Sequence, residues 1–336
     1  MADGKTMLTR DEFEKIALRL YEFCEYPAVR YNILYKLLGT PYDDPKLDEL
    51  RPAFLSSDIV EELYQTQGMY GNWGSVFDKD YSVKAKIPTT AVGIDRCLYI
   101  GLTLEDRDIL FMAKEFLEGF LDGSSKIPLY GKNERAIPWQ RAGICNLLED
   151  IQAYNELCDK TYLQWLYIAE RTFEDGEYSY ERERDAQHEV FLTREARLIP
   201  MQFSLILKRR EKVSPQLEEA MLHTYGEQAY REGYFWKESP ERLPEIFKNK
   251  YMSRWFYSFN QLSTFRGSGC YLDESINWLL SQRQEDGLWD WGSHVKDTWG
   301  YFKYFSCTRN YAHNRIVNAS MEVLSFMKKY MDNNSL

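Results

Sequence analysis

The sequence predicts an all-α fold built as a series of helical hairpins, and three observations carry that prediction. Apolar residues recur at three- and four-residue spacing in segment after segment. Other segments, lying between them, are apolar on most faces, as buried helices are. A glycine-aromatic turn repeats along the chain, sharpest at QGMYGNWG (Gln67 to Gly74) and QRQEDGLWDWG (Gln282 to Gly292). Alternation of period two is never sustained, so no sheet is expected. Amphipathic helices alternating with buried ones close into an α/α toroid of about five to seven hairpins or stack as an open solenoid.

The elements follow in chain order. Residues 1–55, with Pro27, Pro41, Pro45 and Pro52, read as an irregular helical lead-in able to supply a first hairpin. Residues 56–332 read as one repeat domain. At 58–64 the apolar positions Ile59, Leu63 and Tyr64 share a face, and the first sharp turn comes next. Residues 89–99 are small and apolar on most sides, which predicts a buried helix. A helix over 108–121 runs into Asp122-Gly123, and parts of 136–148 again read as buried. Residues 161–170 lead to Gly176 and Tyr178. Parts of 196–207 read as buried, and 216–231 lead to Gly233 and its aromatic followers. The segment 273–280, with Ile276, Leu279 and Leu280 on one face, precedes the second sharp turn, and 318–327 is the last buried helix.

Bulk properties narrow the function. The chain has 336 residues, is 44% hydrophobic and 28% charged, and carries a formal charge of -10. That charge disfavours nucleic acid and anionic membranes, which repel it at long range. No apolar run approaches the ~20 residues of a membrane span, so no transmembrane segment is expected and a cytoplasmic location follows; peripheral contact with a membrane stays open. Six dispersed cysteines without a C-x-x-C pair give neither a disulfide framework nor a four-thiolate zinc site. Aromatic content of 15% suits aromatic turns or an apolar cavity.

The stretch Gln67 to Trp73, followed some fifteen residues later by Thr89-Thr90-Ala91 and Asp95, resembles the turn repeat of the terpenoid cyclase and protein prenyltransferase superfamily, which includes squalene-hopene cyclases. Trp278 to Trp289 is similar to the same repeat with its glutamine displaced by one. The resemblance implies a toroid in which the glutamine ties one outer helix to the next and the tryptophan covers the junction. It also implies an isoprenoid or similarly apolar substrate in an aromatic-lined cavity. Cyclases of this family that protonate their substrate use an Asp-x-Asp-Asp motif, to which Asp78-Lys79-Asp80 is the nearest approximation. Prenyltransferases hold zinc with an Asp-x-Cys pair and a later histidine; Asp95-Arg96-Cys97 is similar to that pair, but neither His188 nor His223 has the aromatic-flanked setting. Asp95 therefore stands as a candidate catalytic carboxylate, with no metal and no other cofactor expected.

Two clusters outside the repeat point to chemistry. Within 27 residues lie Trp289, Trp291, His294, Asp297, Trp299, Tyr301, Tyr304, Tyr311, His313 and Arg315. Asp297, Tyr311 and His313 are general acid/base candidates, and Trp291, Trp299 and Tyr304 are binding candidates. Carbohydrate-active toroids, both polysaccharide lyases and glycoside hydrolases, use such groups, so that reading competes with the isoprenoid one, and a non-catalytic binding toroid is the third. Arg135, Arg141, Arg194, Arg197, Arg309 and Arg315 fall near expected helix starts, where the helix dipole also favours anions; of these, Arg135, Arg194 and Arg315 are taken as substrate-binding.

Overall fold

The computed structural model describes residues 8–78, 85–125, 136–193, 198, 200–231, 252–293 and 311–334. Among them there is no strand, and the class is all-α. The chain divides into two compact units, residues 1–59 with 225–336, and 60–224. The first unit thus joins the N-terminal lead-in to the C-terminal hairpins.

In the 60–224 unit, α4 (Asp58–Thr66, which begins in the other unit) leads into the first sharp turn, and α5 (Thr90–Tyr99) follows. Thr89 starts α5 by accepting the Val92 N–H on its hydroxyl, the usual satisfaction of an orphan donor at a helix start. Next come α6 (Ile109–Asp122), α7 (Ile137–Ile151), α8 (Asp159–Thr172), α9 (Tyr180–Phe191), α10 (Pro200–Leu207) and α11 (Pro215–Arg231), whose last residues belong to the other unit. Helices α5, α7 and α10 pack side by side, α7 in the middle. Against this layer lie α6 and α8. The burial pattern explains the layers: α6 buries Ile109, Ala113, Leu117 and Phe120 on one stripe, and α8 buries Tyr162, Trp165, Leu166 and Ala169.

The other unit is organised on α14 (Ala312–Asn334), the longest helix described. Every residue from Val317 to Leu324 is buried, as a helix surrounded by neighbours requires. Its neighbours are α1 (Arg10–Phe23), α12 (Met252–Leu262), α13 (Gly269–Ser281) and the wide π turn Ile33–Leu37 that extends α2 (Pro27–Asn32). Thr9 caps α1 through its hydroxyl, and Phe13, Ile16, Ala17 and Leu20 form its buried stripe. Helix α3 (Pro45–Leu55) packs on α2. Among the described residues, no helix is long and apolar enough to cross a membrane.

Candidate functional site

The two sharp turns are built by the same hydrogen bonds. The Trp73 indole N–H donates to the Leu63 carbonyl in α4 at 3.2 Å, and its backbone N–H donates to the Thr90 hydroxyl on α5 at 3.1 Å. The Trp289 indole donates to Leu279 in α13 at 2.7 Å, and its backbone N–H to the Ser320 hydroxyl on α14 at 3.1 Å. Inside the turns, Gly68 N–H to Asn72 O corresponds to Gln284 N–H to Leu288 O, and Gly71 N–H to Gly68 O to Gly287 N–H to Gln284 O. Each tryptophan thus rivets the end of one helix to the helix that follows the turn, and both rings are buried. The glycines are required by conformation, with φ of +84° at Gly71 and +83° at Gly287. Gly71 is required by space as well: a Cβ there would lie 2.1 Å from the Met112 carbonyl oxygen on α6.

The turns also reach forward. Gln67 donates its amide to Gly71 O and to Ile109 O, both at 2.9 Å, and Ile109 is the first residue of α6. In the register that superposes Trp73 on Trp289, the place of Gln67 falls to Arg283, between the two glutamines of that stretch. Arg283 donates to Leu280 O at 3.0 Å and pairs with Glu12 at 3.0 Å, in the first turn of α1. The second turn therefore grips the first helix of the chain, as the first turn grips α6.

The start of α14 gathers the polar and aromatic groups of the site. His313 stacks on Phe23, ring centroids 4.7 Å apart and planes 22° from parallel, with Tyr26 tilted at 5.8 Å. The Tyr26 hydroxyl donates to the Asn314 amide oxygen at 3.0 Å. Helix α1 ends at Phe23 and α2 starts with Pro27, so this corner of the chain delivers both rings to α14. Between the two rings in sequence, burial pushes the Cys24 thiol up to about 11, which keeps it protonated.

The residues singled out from the sequence fare unequally. Tyr311 opens α14 but is 65% exposed, and the aromatic neighbours of His313 are Phe23 and Tyr26. Trp291 is buried against Phe256. Arg315 is held in a two-pronged ion pair with Asp290, at 2.9 and 2.8 Å, and that carboxylate raises its pKa. Arg141 donates to Leu121 O at 3.4 Å. Asp95 is exposed on α5, whereas Cys97, two residues on, is wholly buried, and burial raises its thiol pKa further. The carboxylate of Asp95 therefore meets solvent while the Cys97 thiol lies in the core. Among the described residues no group of three His, Cys, Asp or Glu is placed to hold a metal. Arg135, Arg194, Asp297, Trp299 and Tyr304 lie outside the described residues.

Sequence reasoning missed Phe23, Tyr26 and Asn314, and also a buried charge cluster in the 60–224 unit. Arg209, almost fully buried, donates to Glu149, to Asp159 at 2.5 Å and to Asn155 O at 3.1 Å, and its guanidinium lies 4.6 and 4.8 Å from the ring centres of Tyr154 and Tyr162. Burial works against its charge, but Glu149 and Asp159 outweigh that and hold its pKa above the usual value. The cluster ties the end of α7, the start of α8 and the end of α10. Compared with known protein families, with curated proteins and with solved structures, the chain matches none.

Proposed function

We propose that the chain is an α/α toroid of the terpenoid cyclase and protein prenyltransferase type that takes an isoprenoid or similarly apolar substrate. The supporting observation is the atom-for-atom recurrence of the tryptophan rivet, with Gln67 reaching forward to α6 and Arg283 reaching back to α1. The reading expects about five to seven hairpins closed into a ring, and the forward reach of Gln67 to α6 and the backward reach of Arg283 to α1 support it. In such a ring the aromatic corner of Phe23, Tyr26 and His313 lies at the end where the inner helices start, and aromatic faces there favour apolar chains and cationic character.

The test is extraction of the purified protein with organic solvent and mass spectrometry of the extract, followed by thermal shift with farnesol and squalene. The reading expects an isoprenoid in the extract and a raised melting temperature. No shift with either compound up to its solubility would count against it.

One observation favours a second reading. A phenol, an imidazole and a carboxamide converge at Tyr26, His313 and Asn314, a set able to steady a uronate carboxylate while its α-proton is withdrawn and the glycosidic oxygen departs. Incubation with uronate oligosaccharides would then yield unsaturated products, and Tyr26→Phe would lower the rate at least tenfold. Absence of turnover together with a ligand-induced thermal shift would leave a binding toroid.

A further inference from the structure

The two sharp turns allow an internal comparison: the same backbone, closed by the same hydrogen bonds, carries different side chains at its tip. In the second turn the tip is Glu285-Asp286, and Asp286 accepts the Leu288 N–H at 3.0 Å. Acidic residues at a solvated tip are what turn chemistry favours. In the first turn the same two positions are Met69 and Tyr70, 79% and 72% exposed. The fold asks for neither side chain, since the second copy is built without them.

The pair is not isolated. Tyr64, near the end of α4, is 50% exposed, and Phe111, in the first turn of α6, is 45% exposed. Gln67 and Gly71 hold the turn against Ile109 and Met112 of α6, which brings the backbone of the tip next to the residue that follows Phe111. Four large side chains of about 200 Å² each, exposed by 45–79%, together show on the order of 500 Å², at the upper end of the patches a monomer carries.

The acids of α4 nearest the patch are paired, while Asp108 and Glu115, exposed on either side of Phe111, form its charged rim. Glu61 pairs with Arg107 at 2.8 Å, and Glu62 with Arg96 at 2.7 Å and Lys86 at 3.0 Å. Arg107 also covers the Tyr64 ring at 4.5 Å. The acids of α4 beside the patch are therefore neutralised, although the chain as a whole carries -10.

We infer that this tip, Met69 and Tyr70 with Tyr64 and Phe111, inserts into the interfacial layer of an uncharged lipid bilayer. The area falls short of the roughly 800 Å² per partner that a stable protein interface buries. Adjacent side chains exposed to this degree form a protruding tip instead of a groove, and a deformable lipid surface accepts a protrusion without a complementary pocket. Tyrosines with a polar edge suit the headgroup boundary. The inference is independent of the substrate proposed above.

The test is flotation of the full chain with vesicles of phosphatidylcholine alone. The protein should rise with the vesicles, should do so equally at high salt because apolar contact is not screened, and should gain nothing from added phosphatidylglycerol. Met69→Glu with Tyr70→Asp copies the tip of the second turn, so the fold should be kept while the partition coefficient falls at least tenfold. Phe111→Glu, on a different element, should also lower it and guards against a folding defect confined to the turn. A wild-type chain that stays in the aqueous fraction at every lipid concentration overturns the inference. So does a double variant that floats as well as the wild type, or one whose only change is loss of self-association in sedimentation, which would make the patch a contact between copies.

Discussion

At the scale of single residues the tryptophan rivets are the sharpest test of how the turns work. Each buried indole fills the junction and satisfies a helix carbonyl, so Trp73→Ala and Trp289→Ala should each cost about 3–5 kcal/mol in urea unfolding. The two rings belong to different compact units, and the losses should add to within about 0.5 kcal/mol in the double variant. The buried guanidinium of Arg209 gives a pH test. Its hydrogen bond holds the Asp159 carboxyl below the usual carboxylate range. A depressed folded pKa contributes stability that is complete above the unfolded value of about 3.9 and is lost as pH falls through the folded one. The urea midpoint should therefore fall as pH drops below about 4, and Arg209→Gln should lower stability at neutral pH while removing Asp159's share of that acid limb. An acid limb of unchanged slope would assign it to other carboxylates. Much of this chemistry could not be read from the sequence. Tyr26 and Asn314 lie far apart in the chain and on no shared periodic face, and Arg209 stands 60 and 50 residues from Glu149 and Asp159, its two acidic partners.

At the scale of elements, legibility followed amphipathicity. The helices at 109–122, 159–172, 215–231 and 269–281 start and end within a few residues of the places their apolar spacing indicates, because one buried stripe against one solvated face is what that spacing encodes. Helix α9 was not legible: its sequence YERERDAQHEVF has no apolar stripe, and two of the residues it buries are Glu183 and Gln187. Glu183 accepts from Tyr178, Gln187 and the Leu198 N–H, so a polar network does the work of an apolar face. The displaced glutamine of the second turn has a related explanation. Neither Gln282 nor Gln284 occupies the place of Gln67; Arg283 does, and its partner Glu12 stands on a helix near the other end of the chain. A double-mutant cycle on Arg283→Ala and Glu12→Ala should give a coupling of about 0.5–1 kcal/mol that shrinks in high salt, as befits a partly exposed pair. A coupling of zero would mean that α1 is held by its packing on α14 and on the Ile33–Leu37 turn without help from this pair.

For the whole molecule, the contact between α1 and α14 sets where the chain can be cut. Arg10, the first residue of α1, lies 3.8 Å from Asp332 near the end of α14, so the two ends of the described chain meet in one compact unit. Ends this close can be joined by a short Gly/Ser linker with little strain, which is the condition under which circular permutation succeeds. New ends belong where the backbone is exposed and already complete, and Leu192 meets that need: it is 82% exposed, its N–H caps α9 by donating to His188 O, and its left-handed φ of +56° marks the helix stop. A permutant opened after Leu192 and closed by such a linker should keep the helical circular dichroism of the parent and unfold in the same number of transitions. It also separates a ring from an open array. If the first helix is the neighbour of the last hairpin, the link merely makes covalent a contact that Arg283 and Arg10 already hold, and Glu12→Ala should cost less in the permutant than in the parent, because a tethered α1 has less freedom to lose. If the hairpins stack as an open solenoid whose ends touch only through side chains, the linker would strain the array, and the permutant should melt earlier than the parent with the Glu12→Ala penalty undiminished.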